Sequence, residues 1–268
     1  MNYRHAFHAG NHGDCLKHAL LLSLLASLRR KEAPFAVADL HAGRGAYDLS
    51  GAEAARTGEW RAGIGRLLED TPAALVPYVS AVKRLGLYPG SPALIREALR
   101  DRDRLVLNEK HPEEFAALSA WARRDKRITL REGDAYALRG AVPPFGFRRG
   151  LVLFDPPYES ADEVARLAAA MTEAHRIAPT LILAAWYPVK HLAPVRALRD
   201  ALAAARLPKR VDAALYLRPP LDPQRLNGSG LLVVNAPYRF AEEAKAILEA
   251  LRQRLAGAEG TVHLEAAA

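Results

Sequence analysis

Asp155-Pro156-Pro157-Tyr158 is the run in this 268-residue chain whose residue types and spacing promise chemistry. It sets a carboxylate, two carbonyls on residues without N–H groups, and an aromatic ring within one short segment. Proline fixes φ and removes a donor, so the carbonyl of Pro156 points in a set direction outside any strand ladder. Two fixed acceptors beside one flat face make a cup for a planar heterocycle that carries an amino group, and N6 of adenine suits it. An exocyclic amine is a poor nucleophile because its lone pair is delocalised into the ring. Acceptors on both of its hydrogens, here Asp155 and the Pro156 carbonyl, favour pyramidal geometry and return electron density to nitrogen. Tyr158 would stack on the base, a contact worth ~1–3 kcal/mol, and Asp155 would take the released proton as a general base. The competing reading is a proline-stiffened strand exit with a surface tyrosine, which leaves the groups at the other strand ends unexplained.

Those groups come into view with the elements that must position them. Leu151 to Phe154 reads as a buried strand, so the Asp-Pro-Pro-Tyr run is delivered at its carboxyl end, the edge where open α/β sheets bind ligands. Further strands are expected over Phe35–Ala38, ending at Asp39; Leu105–Leu107, ending at Asn108-Glu109; Arg127–Arg131; Thr180–Trp186; and, late in the chain, Arg210–Leu217 and Gly230–Asn235. Helical spacing covers Asp14–Arg30 with Asp14 as a plausible N-cap, His111–Arg124, Asp162–Ile177, His191–Ala205 and Glu242–Leu255. Strands alternating with helices imply a mostly parallel sheet covered on both faces. Residues 50–87 break the alternation with helical patterning alone, which predicts an inserted helical subdomain on a domain made of 1–49 and 88–268. The tail Thr261–Ala268 carries no readable signal.

At the strand ends, His41-Ala42-Gly43-Arg44-Gly45 forms a glycine-containing turn that lets backbone approach a ligand, or is simply a tight turn. Glu109 could accept from two ribose hydroxyls, against its reading as a solvated loop acid. Asp134 could accept from the amino group of an adenine-bearing cofactor, or cap the helix after it, or both.

The formal net charge of +8, dominated by arginine, favours a polyanionic partner, chiefly nucleic acid. A single cysteine, Cys15, excludes an intramolecular disulfide and a cysteine-rich zinc site, and fits a reducing cytoplasm. No apolar run approaches the ~18 residues of a membrane span, and the polar start is unlike a secretory signal. His5, His8, His12 and His18 cluster near the start without any familiar metal spacing, so no metal is expected. Tyr3, Arg4 and Phe7 interleave with them as in single-strand binders, and Lys17 is placed to meet a phosphate.

With these residues assembled, the chain resembles the bacterial 23S ribosomal RNA adenine-N6 methyltransferases, the J-type enzymes that act at adenine 2030. The carriers are the segments 3–12, Leu16-Lys17-His18, His41-Ala42-Gly43, Arg56-Thr57-Gly58-Glu59, 88–92, Glu109-Lys110-His111-Pro112, Asp155-Pro156-Pro157-Tyr158 and Trp186-Tyr187-Pro188. The resemblance implies a Rossmann-like class I methyltransferase domain of α/β type with a small helical insertion. It implies S-adenosylmethionine as cofactor, without a metal, contacted by His18, His41, Ser91, Glu109, Asp134, Ala135 and Asp155. It implies that Tyr3 touches the RNA and that Asp155 is the catalytic acceptor. The methyl donor and the choice of RNA over DNA come from the resemblance alone. A cytoplasmic enzyme acting on 23S ribosomal RNA or its precursor, as a monomer with no obligate protein partner, is the expectation. DNA adenine methylation, a catalytically silent RNA-binding or assembly factor, and small-molecule methylation are the competing classes.

Overall fold

The computed structural model describes residues 4–137 and 147–267. Tyr3 and the segment following Ala137 lie outside them, so the expected RNA contact of Tyr3 and any helix capped by Asp134 do too. A short turn at His5–Phe7 precedes α1 (His12–Arg29), β1 (Ala36–Asp39) and β2 (Ala46–Tyr47). Then come α2 (Ala52–Thr57), a π-type turn at Arg61–Gly65, α3 (Arg66–Glu69) and α4 (Val76–Leu85). β3 (Tyr88–Pro89) pairs back on β2 and leads into α5 (Ser91–Ala98). The alternating part follows as β4 (Arg104–Glu109), α6 (Pro112–Ala122), β5 (Ile128–Glu132), β6 (Gly150–Phe154), α7 (Glu163–Ile177), β7 (Ile182–Val189) and α8 (Leu192–Ala204). β8 (Arg210–Tyr216), β9 (Gly228–Val234), α9 (Phe240–Leu255) and β10 (Thr261–Ala267) complete it.

One sheet of order β10-β8-β9-β7-β6-β1-β4-β5 carries the fold. β7, β6, β1, β4 and β5 run parallel, whereas β9, β8 and β10 join by antiparallel pairing. The last strand is the segment in which the sequence shows no signal. Its residues are mostly half-exposed, so no apolar alternation marks it, and β8 holds it by main-chain pairing from Thr261↔Tyr216 to Ala267↔Arg210. The helical segment between β2 and β3 matches the pattern over residues 50–87, and its Leu67, Leu75, Tyr78, Val79 and Val82 sink into the same core as α1 and α9.

The strands alternate their side chains between two cores, as a period of two requires. In β6, Leu151 and Leu153 face a core shared with α1, α4 and α9, while Val152 and Phe154 face one shared with α7 and α8. β1 sits between β6 and β4; the chain runs outward from β1 to β4 and β5 and then crosses back to β6, so the strand order reverses beside β1 and the carboxyl ends of β1 and β6 frame the crevice where such sheets take ligands. α1 is buried nearly all round and lies against α9, β9 and α5.

Close approach of β6 to β1 depends on Gly150: a Cβ there would overlap the carbonyl oxygen of Ala36. Gly150→Ala is expected to cost about 2–3 kcal/mol, since backbone, not a flexible side chain, must yield. Urea unfolding of the variant checks this; an unchanged midpoint would show that the two strands tolerate separation.

Candidate active site

β6 ends at Phe154 and puts Asp155 just above the level of Asp39, which ends β1 in register with Leu153. The backbone N–H of Asp155 donates to Nδ1 of His41 at 3.1 Å, so His41 from the turn after β1 anchors the loop after β6. Pro156 is buried and Pro157 half-buried. Tyr158 has φ of 53°, a left-handed conformation that a bulky side chain adopts only when its surroundings impose it. Trp186 in β7 holds it there. The Tyr158 hydroxyl donates to the Trp186 carbonyl at 2.8 Å, and the two rings meet edge to face at 6.1 Å between centroids. Burial foremost pushes the Tyr158 phenol well above its ordinary pKa, so it remains a donor. The loop is therefore held at both ends, by His41 and by Trp186.

α1 supplies the third side. Nζ of Lys17 lies 2.6 Å from Oδ2 of Asp155 and 2.9 Å from Oδ1 of Asp14, with Lys17 only 4 % exposed. Burial works against the ammonium, but Asp14 and then Asp155 outweigh it and hold the Lys17 pKa well above the usual lysine value. Burial likewise opposes the Asp14 charge, yet His5, Lys17 and His18 together pull its pKa well below the carboxylate range. Asp14 Oδ2 further accepts from His5 Nε2 and from the Gly10 amide, both at 2.9 Å. The ammonium is thus engaged inward by two carboxylates, which corrects the expectation that Lys17 meets a phosphate. Nor does Asp14 cap α1: the N-cap is Asn11, whose Oδ1 accepts from the Asp14 amide at 3.1 Å, and Asp14 stands inside the first turn. The Asp155 side chain remains 15 % exposed.

On the opposite side of Asp155 lie the other expected residues. Glu109 ends β4 and accepts three backbone amides, from Gly43 at 2.8 Å, Lys110 at 2.8 Å and His111 at 2.7 Å. That rules out a loosely solvated loop acid and fixes its carboxylate against the glycine turn. Gly43 and Gly45 both take positive φ, and a Cβ on Gly45 would press on the Trp121 ring. Asp134 accepts from the Tyr136 amide at 2.9 Å, and Arg166 and Lys110 approach its other oxygen. Its pKa is lowered: burial opposes this, but the Tyr136 amide, Lys110 and Arg166 prevail. Ala135 is buried beside it, and Ser91 is buried at the start of α5.

Asp39 at its strand end, His12 from the N-terminal histidines and Trp186 belong to the surroundings as well, although the sequence alone gives Asp39 and Trp186 no role there. Asp39 is fully buried, and its Oδ2 has no hydrogen-bond partner; the same holds for Nε2 of His18. Burial pushes Asp39 up to about 7, with Ser91 opposing and Asp155 adding to the shift. Burial also pushes the imidazoles down, His18 to about 3 and His12 and His41 to about 4. A neutral His41 is what its role requires, because Nδ1 must keep its lone pair to accept from Asp155. The signal available for Asp14 and Lys17 is an acid and a base three residues apart within a run of leucines and alanines. Among the described residues no group of three or more His, Cys, Asp or Glu is arranged to hold a metal, and no helix is long and apolar enough to cross a membrane.

Residues 32–267 match the model of a family described as ribosomal RNA large subunit methyltransferase D, RlmJ. The chain belongs to this family. It is 36 % identical over 272 residues to ribosomal RNA large subunit methyltransferase J of Escherichia coli K12, spanning 98 % of this chain and 96 % of that one. It is 37 % identical over 270 residues to the protein of the same name from Haemophilus influenzae, spanning 97 % and 96 %. A crystal structure of a Legionella pneumophila protein superposes with a TM-score of 0.89 at 31 % identity, covering 97 % of this chain and 98 % of that one. Family membership and the sheet order together establish a methyltransferase of Rossmann-like α/β fold, as the sequence motifs lead one to expect.

The pKa directions fix a pH dependence of stability. Below about pH 6.5 the unfolded chain protonates His12, His18 and His41, which the fold resists until pH 3–4, while the folded chain gains one proton on Asp39 between about 7 and 3.8. The unfolded state binds more protons, so stability present at pH 7 is lost as pH falls towards 4. Chemical-denaturation midpoints taken from pH 7 to 4.5 should decline steadily, and a flat profile would contradict the buried neutral imidazoles.

Proposed function

We propose that this chain transfers a methyl group from S-adenosylmethionine to N6 of an adenine in 23S ribosomal RNA, at a site of the adenine 2030 type. The observation that carries the reading is the Asp155–Tyr158 loop at the carboxyl end of β6, held by His41 on one side and Trp186 on the other. The names of the two bacterial relatives support ribosomal RNA as the substrate.

The residues suit the cofactor. Unpartnered buried atoms on Asp39 and His18, a glycine turn gripped by Glu109, and the Asp134-Ala135 corner suit a ligand that is polar at one end and carries a ribose towards the other. His18, His41, Ser91, Glu109, Asp134, Ala135 and Asp155 would hold it, with Glu109 on the ribose and Asp134 on its adenine. Bound there, S-adenosylmethionine supplies an electrophilic methyl group. The remainder falls to the protein. Asp155 and the Pro156 carbonyl accept the two N6 hydrogens and keep the nitrogen lone pair out of the ring. Tyr158, its hydroxyl already committed to Trp186, offers its ring to the base. Lys17 fixes one oxygen of Asp155, leaving the other to the amine and then to its proton. Asp14, Lys17 and Asp155 taken as an ion cluster sum to one negative charge, which complements a sulfonium cation. Tyr3 is assigned to the RNA, with residues 50–87 an insertion on the domain formed by 1–49 and 88–268. The enzyme works as a cytoplasmic monomer without an obligate protein partner.

Purified chain and labelled donor, presented with unmodified 23S ribosomal RNA, with DNA and with free adenosine, decide between the classes. Label in the RNA at a single methyladenine is expected; label in DNA or adenosine instead, or RNA binding without transfer, would replace this reading. Asp155→Ala should lower the transfer rate by about 10²-fold or more, in the range of a lost general base with its positioning. Transfer by that variant at the wild-type rate would remove Asp155 from the chemistry.

A further inference from the structure

Arg56-Thr57-Gly58-Glu59 stands out in the sequence, yet none of the four touches the site described above. Three of them instead act on the segment that precedes α1, and Gly58 shapes the turn that lets them. The Thr57 hydroxyl donates to the carbonyl of Phe7. The Arg56 guanidinium lies over the Phe7 ring, 5.8 Å from its centroid. Gly58 ends α2 with φ of 63°, and its carbonyl accepts from the Arg61 amide at 3.0 Å, which turns the chain sharply. That turn presents Glu59, whose two oxygens reach Nδ1 of His8 and Nδ2 of Asn11, each at 2.9 Å. The grip continues past the motif: the Ile64 amide donates to the Gly10 carbonyl at 2.9 Å, and a Cβ on Gly63 would overlap that same carbonyl.

Asn11 connects this grip to the chemistry. The same side chain that Glu59 holds through Nδ2 caps α1 through Oδ1. Asp14, at the capped amide, binds Lys17, and Lys17 binds Asp155. A continuous polar path therefore runs from Glu59 through Asn11, Asp14 and Lys17 to the carboxylate at the end of β6. None of its links passes through Glu109, Asp134 or the glycine turn.

We propose that Arg56-Thr57-Gly58-Glu59 is a clamp with Glu59 as its positioning residue, setting the 5–11 segment and the first turn of α1 for the nucleic-acid acceptor rather than for the methyl donor. This rests on the reading of the chain as an RNA methyltransferase. The insertion thereby braces the acceptor side of the crevice from outside. A carboxylate that bridges a histidine and an asparagine fixes both in orientation, and cutting that bridge frees the 5–11 segment and loosens the cap of α1.

Glu59→Ala is compared with Glu59→Gln, which keeps one acceptor and one donor in the same place, and with Thr57→Val, an exposed substitution that removes only the hydroxyl held by Phe7. Methyl transfer to unmodified 23S ribosomal RNA is read as kcat and KM, the Kd for S-adenosylmethionine by calorimetry, and amide exchange at Ile64 as a local measure of the grip. Glu59→Ala should lower kcat/KM for RNA at least tenfold, speed exchange at Ile64, and leave the donor Kd within twofold. Glu59→Gln should recover most of the loss, and Thr57→Val should raise KM for RNA severalfold. Wild-type kinetics in Glu59→Ala and Thr57→Val, or a donor Kd that worsens in step with kcat/KM, would overturn the clamp. A wild-type chain that methylates no RNA at all would instead end the functional reading on which it stands.

Discussion

One buried ammonium holds the candidate site together. Lys17 lies in the interior between Asp14 on its own helix and Asp155 at the end of the central sheet. Burying an ion costs several kcal/mol unless paired, and here two carboxylates pair it. The arrangement depends on the ammonium: without it, two carboxylates would stand in the interior with no cation between them. The same contact decides which way Asp155 faces, because one of its oxygens is claimed from inside and the other stays toward the crevice. The position of the Asp155 carboxylate thus follows from the packing of α1 as much as from β6.

The remaining precision comes from neutral groups and from backbone amides. His41 accepts the Asp155 amide only because burial keeps its ring unprotonated. Tyr158 sits in a backbone region that favours glycine, and the carbonyl of Trp186 is what retains it there. Glu109 commits its carboxylate to three amides around the glycine turn. Strand ends, a turn and a helix start converge on one place because β1 is flanked on both sides by parallel partners and the chain crosses back over it from β5 to β6.

The parallel half of this molecule is readable in the sequence because short apolar runs ending in acids are local signals. Each of Asp39, Glu109 and Asp155 terminates such a run, and each strand lies within a few residues of its expected place. β10 is invisible for the opposite reason: its half-exposed residues gain their conformation from β8, a partner far away in the chain. β2 and β3, two residues each, are too short for any period to register. Lys17 misleads because an isolated lysine looks alike in sequence whether it points to solvent or to a buried acid. Asp14 fits the residue preference of a cap, and only the fold reveals that Asn11 holds that position. The pairing of Lys17 with Asp155 spans 138 residues and leaves no trace in local pattern.

That span also dictates an order of assembly during synthesis. β1 can pair with β4 only after residue 104 and subsequent residues have emerged, and with β6 only after residue 150. Until then α1 carries a lysine with one of its two carboxylate partners unmade. Contacts of such long sequence separation form slowly, and the nascent N-terminal third must wait with apolar surface uncovered. The loop after β6 therefore finds its place only once β7 has delivered Trp186, and the ribosome that builds this chain releases most of it before the centre of the sheet can close.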